Sequence, residues 1–207
     1  MLRPEPEIFV MRAILIPLAF AGLCQAAHAG DISSAYTDLD SKKDCVTYAQ
    51  AEQGDGDWAD LACSGYRGYP VLIAYDDARE SLFYGFPPGG DMTSAWESFS
   101  GFNSSAAKVE WRIETNGDKA VPFAVIHRRT ISDAEDQNKS TDVLLVAKVG
   151  QMDARESCAV GLVLATGNPQ ANDQARKLAD EKARTFTCGK DRHTVIGKVP
   201  AFGRVDN

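Results

Sequence analysis

The chain has 207 residues, and its 22 lysine and arginine residues against 29 aspartate and glutamate residues give a formal net charge of −7. This acidic balance gives no electrostatic basis for binding nucleic acid or anionic lipid, and we expect neither as a partner. The length suits one domain with its own hydrophobic core, and we expect that domain to cover residues 30–207.

An export signal is predicted at residues 1–29. A positive residue precedes an apolar run over 14–23, and the motif at 27–29 places alanine at the −3 and −1 positions of a cleavage site. The apolar run is too short to span a bilayer, so we expect a Sec-type signal, periplasmic location and no membrane insertion after cleavage. A buried N-terminal helix is the alternative. Residues 1–10 contain two glutamates and two prolines, which fit a signal poorly, and we expect translation to begin at Met11.

Five cysteines are present, of which Cys24 is expected to leave with the signal. The remaining even number predicts two disulfides in an oxidising compartment, although three pairings are possible. A strand beginning at Cys158 and the helix after it have similar lengths of about 30 Å, so the helix returns to the start of the strand. We therefore pair Cys158 with Cys188, and Cys45 with Cys63. A four-thiolate zinc site is the alternative, but no closely spaced cysteine pair supports it.

The first half of the expected domain predicts a hairpin followed by a long loop. Two aromatic and β-branched runs, 69–75 and 81–86, flank a polar turn, which is typical of a β-hairpin. Glycine, proline and serine dominate residues 87–107, which predicts a loop with a short helical turn near Ala95.

The second half predicts further strands. Residues 109–114 alternate apolar and charged side chains, so we expect one face on a core and the other in water. The Asn-Gly pair at 116–117 predicts a tight turn to a partner strand over 121–131. Strands over 142–149 and 158–166 are apolar on both faces, and we expect both faces to be covered.

A helix is predicted over 169–187. Asn168 is a suitable N-cap, a proline follows at the first helical position, and Gly189 is a natural stop. One alanine-rich face suits close packing on a sheet. The predicted fold is α+β: a mainly antiparallel sheet, as a meander or sandwich, with one C-terminal helix packed on it and two disulfides.

The histidines form no recognisable catalytic or metal-binding motif. His127 falls in the strand over 121–131, on the face of Phe123 and Val125, which predicts a partly buried structural histidine. His193 falls in a polar segment and is expected to be solvated. The chain has no Ser-His-Asp arrangement, G-x-S-x-G turn or phosphate-binding loop, and we expect no cofactor and no metal.

The segment at 63–70 is the most suggestive candidate for binding. It combines a disulfide anchor with two glycines, and tyrosine and arginine often carry binding energy at interfaces. Trp58, placed in a loop before it, is expected to enlarge either the contact surface or a small satellite core. The candidate binding loop consists of Ser64, Tyr66, Arg67 and Tyr69, together with Trp58. The alternative is a tight turn whose tyrosines pack onto the sheet.

Several segments resemble a family of uncharacterised small exported proteins of alphaproteobacteria. These segments are 34–39 leading to Cys45, 63–70, 77–79, 110–112, 122–126, and 168–169 with 186–189. The resemblance covers nearly all of residues 30–207. It implies a periplasmic location and the four-cysteine framework, but it brings no catalytic residues.

These patterns favour a non-enzymatic binding module with a periplasmic or envelope protein as partner. A more specific hypothesis is an inhibitor of a cell-wall hydrolase. Lysozyme inhibitors are similar small, acidic, disulfide-linked β domains, and a net charge of −7 suits a cationic target. The alternative is a hydrolase or metal-dependent enzyme whose site assembles from Asp76, Asp77, Arg79 and His127. Aspartates in turns, however, are expected for hydrogen-bonding reasons alone, and this also holds for the pair at 133 and 136.

Overall fold

The computed structural model describes residues 30–90, 92, 95–136 and 138–204. The predicted signal at 1–29, with Cys24, lies outside the described residues. The described part forms twelve strands, one α-helix and a 3-10 turn at Tyr66–Gly68. The elements are β1 (Asp31–Asp38), β2 (Cys45–Gln50), β3 (Trp58–Cys63), β4 (Val71–Asp76), β5 (Arg79–Tyr84), β6 (Glu97–Phe99), β7 (Asn103–Asn116), β8 (Lys119–Ser132), β9 (Ser140–Lys148), β10 (Ala159–Leu164), α1 (Ala171–Lys182), β11 (Thr194–Ile196) and β12 (Phe202–Arg204).

The strands form three sheets. The main sheet has the order β1-β7-β8-β9-β10-β11, and its neighbours are antiparallel except for the parallel pair β10 and β11. A four-stranded antiparallel sheet has the order β2-β3-β4-β5, and β6 pairs with β12. The expected hairpin is β4 and β5, which turn at Asp77 and Ala78 with positive φ. The turn between β7 and β8 uses Gly117, at φ +59°, as its first residue.

The main sheet is covered on both faces. One face packs against the inner face of the β2–β5 sheet, in a core that contains Val71, Ile73 and Trp111. The other face packs against α1, with Ala175 and Leu178 buried there. These layers confirm the predicted fold class: mainly antiparallel sheet, one helix packed on it, and two disulfides.

Both disulfides have the predicted pairing. Cys45 and Cys63 lie directly opposite each other in the β2–β3 ladder and close a separation of 18 residues. Cys158 stands just before β10, and Cys188 lies in the turn after α1, so their bond closes a separation of 30 residues. The strand and the returning helix therefore bring the two ends of this unit together.

The charged face of β7 is buried, so the expectation that it faces water is wrong. Glu110 and Arg112 are 7% and 8% exposed because they lie beneath α1. The Arg112 guanidinium donates to both carboxylate oxygens of Asp180, at 2.8 and 2.6 Å. Glu110 accepts a hydrogen bond of 2.7 Å from Arg176. Ion pairs therefore connect the helix to the sheet.

A bulge changes which side chains share a face of β8. The pairing of β7 with β8 skips one position, which falls at Phe123. Phe123 consequently packs on the helix side, whereas Val125 lies in the core on the opposite side. The prediction that His127 shares a face with both residues is correct for Val125 and wrong for Phe123.

Two predicted boundaries also differ. The loop predicted over 87–107 ends earlier, since β7 begins at Asn103 and pairs along its small residues with β8. The helix predicted over 169–187 is shorter at both ends. The Asn168 side-chain oxygen accepts the Gln170 N–H at 3.1 Å in a turn that precedes α1, and the chain after Lys182 continues in turns.

Candidate functional site

A cleft of about 870 Å³ lies between the outer face of the β2–β5 sheet and the β6–β12 pair. Alternation along the strands decides which side chains reach it. Val71 and Ile73 point into the core, so the intervening side chains of β4 point outwards. In the same register, Trp58 pairs with Asp76, and Asp60 pairs with Ala74. The sheet therefore presents an aromatic ring and two carboxylates on the floor of the cleft.

Aromatic rings line much of this cleft. Tyr48 is 57% exposed and Trp58 is 37% exposed. Trp96 lies on the opposite wall and is half-buried, as is Phe202, which packs edge-on against Phe99 at 4.9 Å. Aromatic side chains around an open cavity of this size are typical of a ligand-binding site.

Asp60 is a carboxylate on the floor of the cleft that is partly buried without a described partner. It is half-buried, and burial raises the pKa of its carboxyl group. Burial also raises the pKa of the Tyr48 hydroxyl, with a smaller contribution from the negative charge of Asp60. Within the described ranges, the Asp60 carboxylate has neither an ion-pair nor a hydrogen-bond partner. Sequence reasoning missed both residues, because each lies in a short strand with no motif around it.

Among the described residues, the two arginines that line the cleft form no ion pair with Asp60 or Asp76. Arg79 donates to the Asp77 carboxylate at 2.8 Å and to the Ser100 carbonyl at 3.1 Å, and its guanidinium lies 4.9 Å from the Phe102 ring centre. The Nη2 of Arg204 lies close to Gly189, which lines a neighbouring cleft. The two carboxylates therefore have no ion-pair partner among the described lining residues.

The candidate binding loop forms a tight turn whose tyrosines pack inwards, as in the alternative interpretation. The Tyr66 ring centre lies 6.3 Å from that of Trp111. The Tyr69 hydroxyl donates to the Gln151 side chain at 2.9 Å, and its ring packs against Phe86 at 5.0 Å.

Ser64 and Arg67 are the exposed members of this loop. Arg67 adopts φ +46° and lies 5.3 Å from the Tyr66 ring centre. Trp58 is not in a neighbouring loop but begins β3, and Cys63, the anchor of the loop, ends it. The two ends of a six-residue strand are about 17 Å apart, so the structure does not bring Trp58 together with the loop.

A second, smaller cleft of about 480 Å³ contains His193. The expectation that His193 is solvated is wrong. Its ring stacks on Phe186, with ring centres 6.4 Å apart, and meets Phe202 edge-on at 5.7 Å. Its Nε2 lies 3.2 Å from a Glu97 carboxylate oxygen. The C-terminal strand β12 contributes residues to both clefts.

His127 is completely buried rather than partly buried. Its Nε2–H donates to the Ala106 carbonyl at 2.7 Å, and in the neutral ring that full burial favours, Nδ1 accepts from the Tyr84 hydroxyl at 2.8 Å. Burial, with a smaller contribution from the charge of Arg129, lowers the pKa of His127 to about 4, although the hydrogen bond to Ala106 acts in the opposite direction. Burial also raises the pKa of Tyr84. This buried group does not meet either cleft.

Of the aspartates singled out from the sequence, Asp77 and Asp133 have structural roles in turns, whereas Asp76 ends β4 and lines the large cleft. Asp133 accepts the backbone N–H groups of Glu135 and Asp136, each at 2.9 Å. Asp77 occupies the turn between β4 and β5 and pairs with Arg79. In the part of the chain that the structure describes, no group of three or more histidine, cysteine or acidic side chains is placed to hold a metal ion. The helix found there is not long and apolar enough to cross a membrane.

Comparison of the chain with protein-family models, with curated proteins and with solved structures finds no match in any of the three. The resemblance to small exported proteins of alphaproteobacteria therefore stays a prediction.

Proposed function

We propose that the protein is a non-enzymatic binding module whose binding site is the cleft between the β2–β5 sheet and the β6–β12 pair. The observation that carries this proposal is the composition of the cleft: aromatic rings around a half-buried carboxylate, Asp60, with a volume of about 870 Å³. Cavities of roughly 300–1,000 Å³ with a few polar groups among apolar walls are the usual form of small-ligand sites.

The positions of the residues proposed for catalysis favour binding over chemistry. A catalytic site of Asp76, Asp77, Arg79 and His127 requires these groups to converge. His127 is fully buried and bonded to Ala106 and Tyr84, whereas Asp76 is exposed at the cleft. Arg79 is held by Asp77 and a backbone carbonyl. The histidine is thus separated from the acidic residues by the packed core.

We also propose that the protein works in the periplasm. Two disulfides suit an oxidising, exported environment, and the sequence predicts a signal at 1–29. The cleft is large enough for a small ligand and for a segment of an envelope protein.

A fragment screen followed by NMR mapping tests the cleft as the binding site. We expect the fragments that bind to shift the indole N–H signals of Trp58 and Trp96 but not that of the buried Trp111. The Ala74→Phe variant, which fills the floor of the cleft, should lose these shifts. Ala154→Phe, an exposed position outside the cleft, is the matched control. Shifts spread over the whole surface, or unchanged by Ala74→Phe, would contradict the proposal.

A second candidate, inhibition of a cell-wall hydrolase, is supported by the geometry of Arg67. Its exposed guanidinium lies over the Tyr66 ring, 5.3 Å from the ring centre, in a turn that is anchored by Cys63 and by the packing of Tyr66 on Trp111. A cation presented at the surface by a fixed turn suits contact with a partner. Hydrolase inhibition assays with wild type and Arg67→Ala test it, and equal activity of the two proteins would exclude the loop as the contact.

A further inference from the structure

The floor of the cleft holds negative charge that the described residues do not neutralise. Asp60 and Asp76 both line it, and Asp60 has no described partner although it is half-buried. Of the two arginines that line the same space, Arg79 pairs with Asp77, and Arg204 forms no ion pair with either carboxylate among the described residues. The Asp60 carboxylate is only partly withdrawn from water and has no described partner, so a ligand that brings a positive charge to it adds a charge-assisted hydrogen bond.

The rings beside Asp60 add to the same preference. Tyr48 and Trp58 present exposed aromatic surface at the cleft, on the side where Asp60 lies. The negative face of an aromatic ring attracts a cation within about 6 Å of its centre, and tryptophan is the strongest of these partners. An aromatic pair beside a carboxylate is therefore suited to an ammonium group on an apolar stem.

The net charge of the whole protein also favours a cationic ligand. The net charge is −7, which attracts cationic ligands at long range and repels anions. A neutral sugar would stack on the rings and could donate a hydroxyl hydrogen bond to Asp60, but it would not neutralise the charge of the carboxylate. We infer, resting on the proposed function of the cleft, that its ligand carries an ammonium group held by Asp60 and by the rings of Tyr48 and Trp58.

Isothermal titration of the purified protein with four probes tests this ligand class. The probes are the peptide acetyl-Ala-Lys-Ala-amide, the same peptide with the lysine Nε-acetylated, 1,5-diaminopentane, and the trimer of N-acetylglucosamine. We expect the lysyl peptide or the diamine to bind at least about tenfold more tightly than the acetylated peptide, since hydrogen bonds to a charged group are worth about 1.5–3 kcal/mol. Binding of the peptide alone indicates a protein segment as the source of the ammonium, and binding of the diamine indicates a free amine.

Three variants connect this preference to named side chains. Asp60→Asn should weaken binding of the charged probe by about tenfold, and Trp58→Ala should weaken it by about fivefold. Asp118→Asn removes the same charge from an exposed turn outside the cleft and should leave the affinity unchanged.

Two results would overturn the inference. One is tighter binding of the sugar or the acetylated peptide with no effect of Asp60→Asn, which would leave the cleft as a binding site for a neutral ligand. The other is binding of none of the four probes. In that case the fragment screen with Ala74→Phe still decides independently whether the cleft is a binding site.

Discussion

Replacing His127 by glutamine is expected to change how the stability of the fold depends on pH. In the folded protein the ring is fully buried and neutral, with Nε2–H donating to Ala106 and Nδ1 accepting from Tyr84. Burial and the neighbouring Arg129 charge hold the pKa of His127 at about 4, whereas an unfolded chain has a histidine pKa near 6.5. Glutamine also provides one donor and one acceptor, but it does not titrate.

Whether stability rises or falls with pH depends on whether the folded or the unfolded state binds the proton. Between about pH 6.5 and pH 4, the unfolded chain takes up a proton at His127 and the folded protein does not. The stabilisation is therefore present above pH 6.5 and is lost as the pH falls. Each unit of pKa difference corresponds to about 1.4 kcal/mol, so the wild type should lose about 3 kcal/mol over this range that the variant keeps.

Urea denaturation at four pH values between 7.5 and 4.5 measures this difference. The difference between the free energies of unfolding of wild type and His127→Gln should change by about 3 kcal/mol as the pH falls. Only the wild type loses stability through protonation of His127 in the unfolded chain. His193→Gln, at the half-exposed histidine, is the control and should follow the wild type more closely. Parallel pH dependences of the wild type and His127→Gln, or an NMR titration of His127 with a pKa near 6.5 in the folded protein, would refute the reasoning.

Three further changes test the packing of the fold. Asp180→Asn should lower the free energy of unfolding by about 2 kcal/mol, since it removes the charge that accepts two hydrogen bonds from Arg112. In urea denaturation, a loss no larger than that of the exposed neighbour Glu181→Gln would contradict this. Gly161→Ala should cost about 1–3 kcal/mol because its β-carbon would clash with the Thr194 carbonyl oxygen of the paired strand β11 and stand 2.6 Å from Leu178 Cδ2, whereas Gly89→Ala, which meets nothing within 4 Å, should be tolerated. Equal melting temperatures of these two variants would show that the contact is relieved without cost. Replacing Cys45 and Cys63 by serine opens an 18-residue separation and should cost about 3 kcal/mol in urea denaturation, and an unchanged midpoint would argue against this bond.

Local patterns were sufficient for much of the architecture. The hairpin of β4 and β5, the buried strands β9 and β10, and the position of the helix follow from periodicity and turn residues. The pairing of Cys158 with Cys188 follows from matching the length of a strand to that of the helix that returns beside it. These features depend on residues that are close in the sequence, which is why the sequence is informative about them.

The missed features depend on contacts between distant residues. Glu110 and Arg112 alternate with apolar side chains as they would on a solvated strand, but Arg176 and Asp180 on the later helix bury them. Phe123 changes face because of a bulge in its pairing with β7, which the amino-acid pattern of β8 does not show.

The cleft was missed for the same reason. Its lining comes from the β2–β5 sheet, from the segment around Trp96 and from β12 near the end of the described chain. The sequence predicts Trp58 as a binding residue but groups it with the loop at 63–70, and it predicts Asp76 and Arg79 only within the alternative catalytic set. No single segment carries enough of the site to predict it.

A crystal structure of the protein with acetyl-Ala-Lys-Ala-amide would show directly whether the cleft holds an ammonium group. We predict that the lysine nitrogen lies about 3 Å from a carboxylate oxygen of Asp60 and within about 6 Å of the centre of the Trp58 ring. Density for the peptide in the second cleft beside His193, or in the large cleft with its lysine directed away from Asp60, would contradict it.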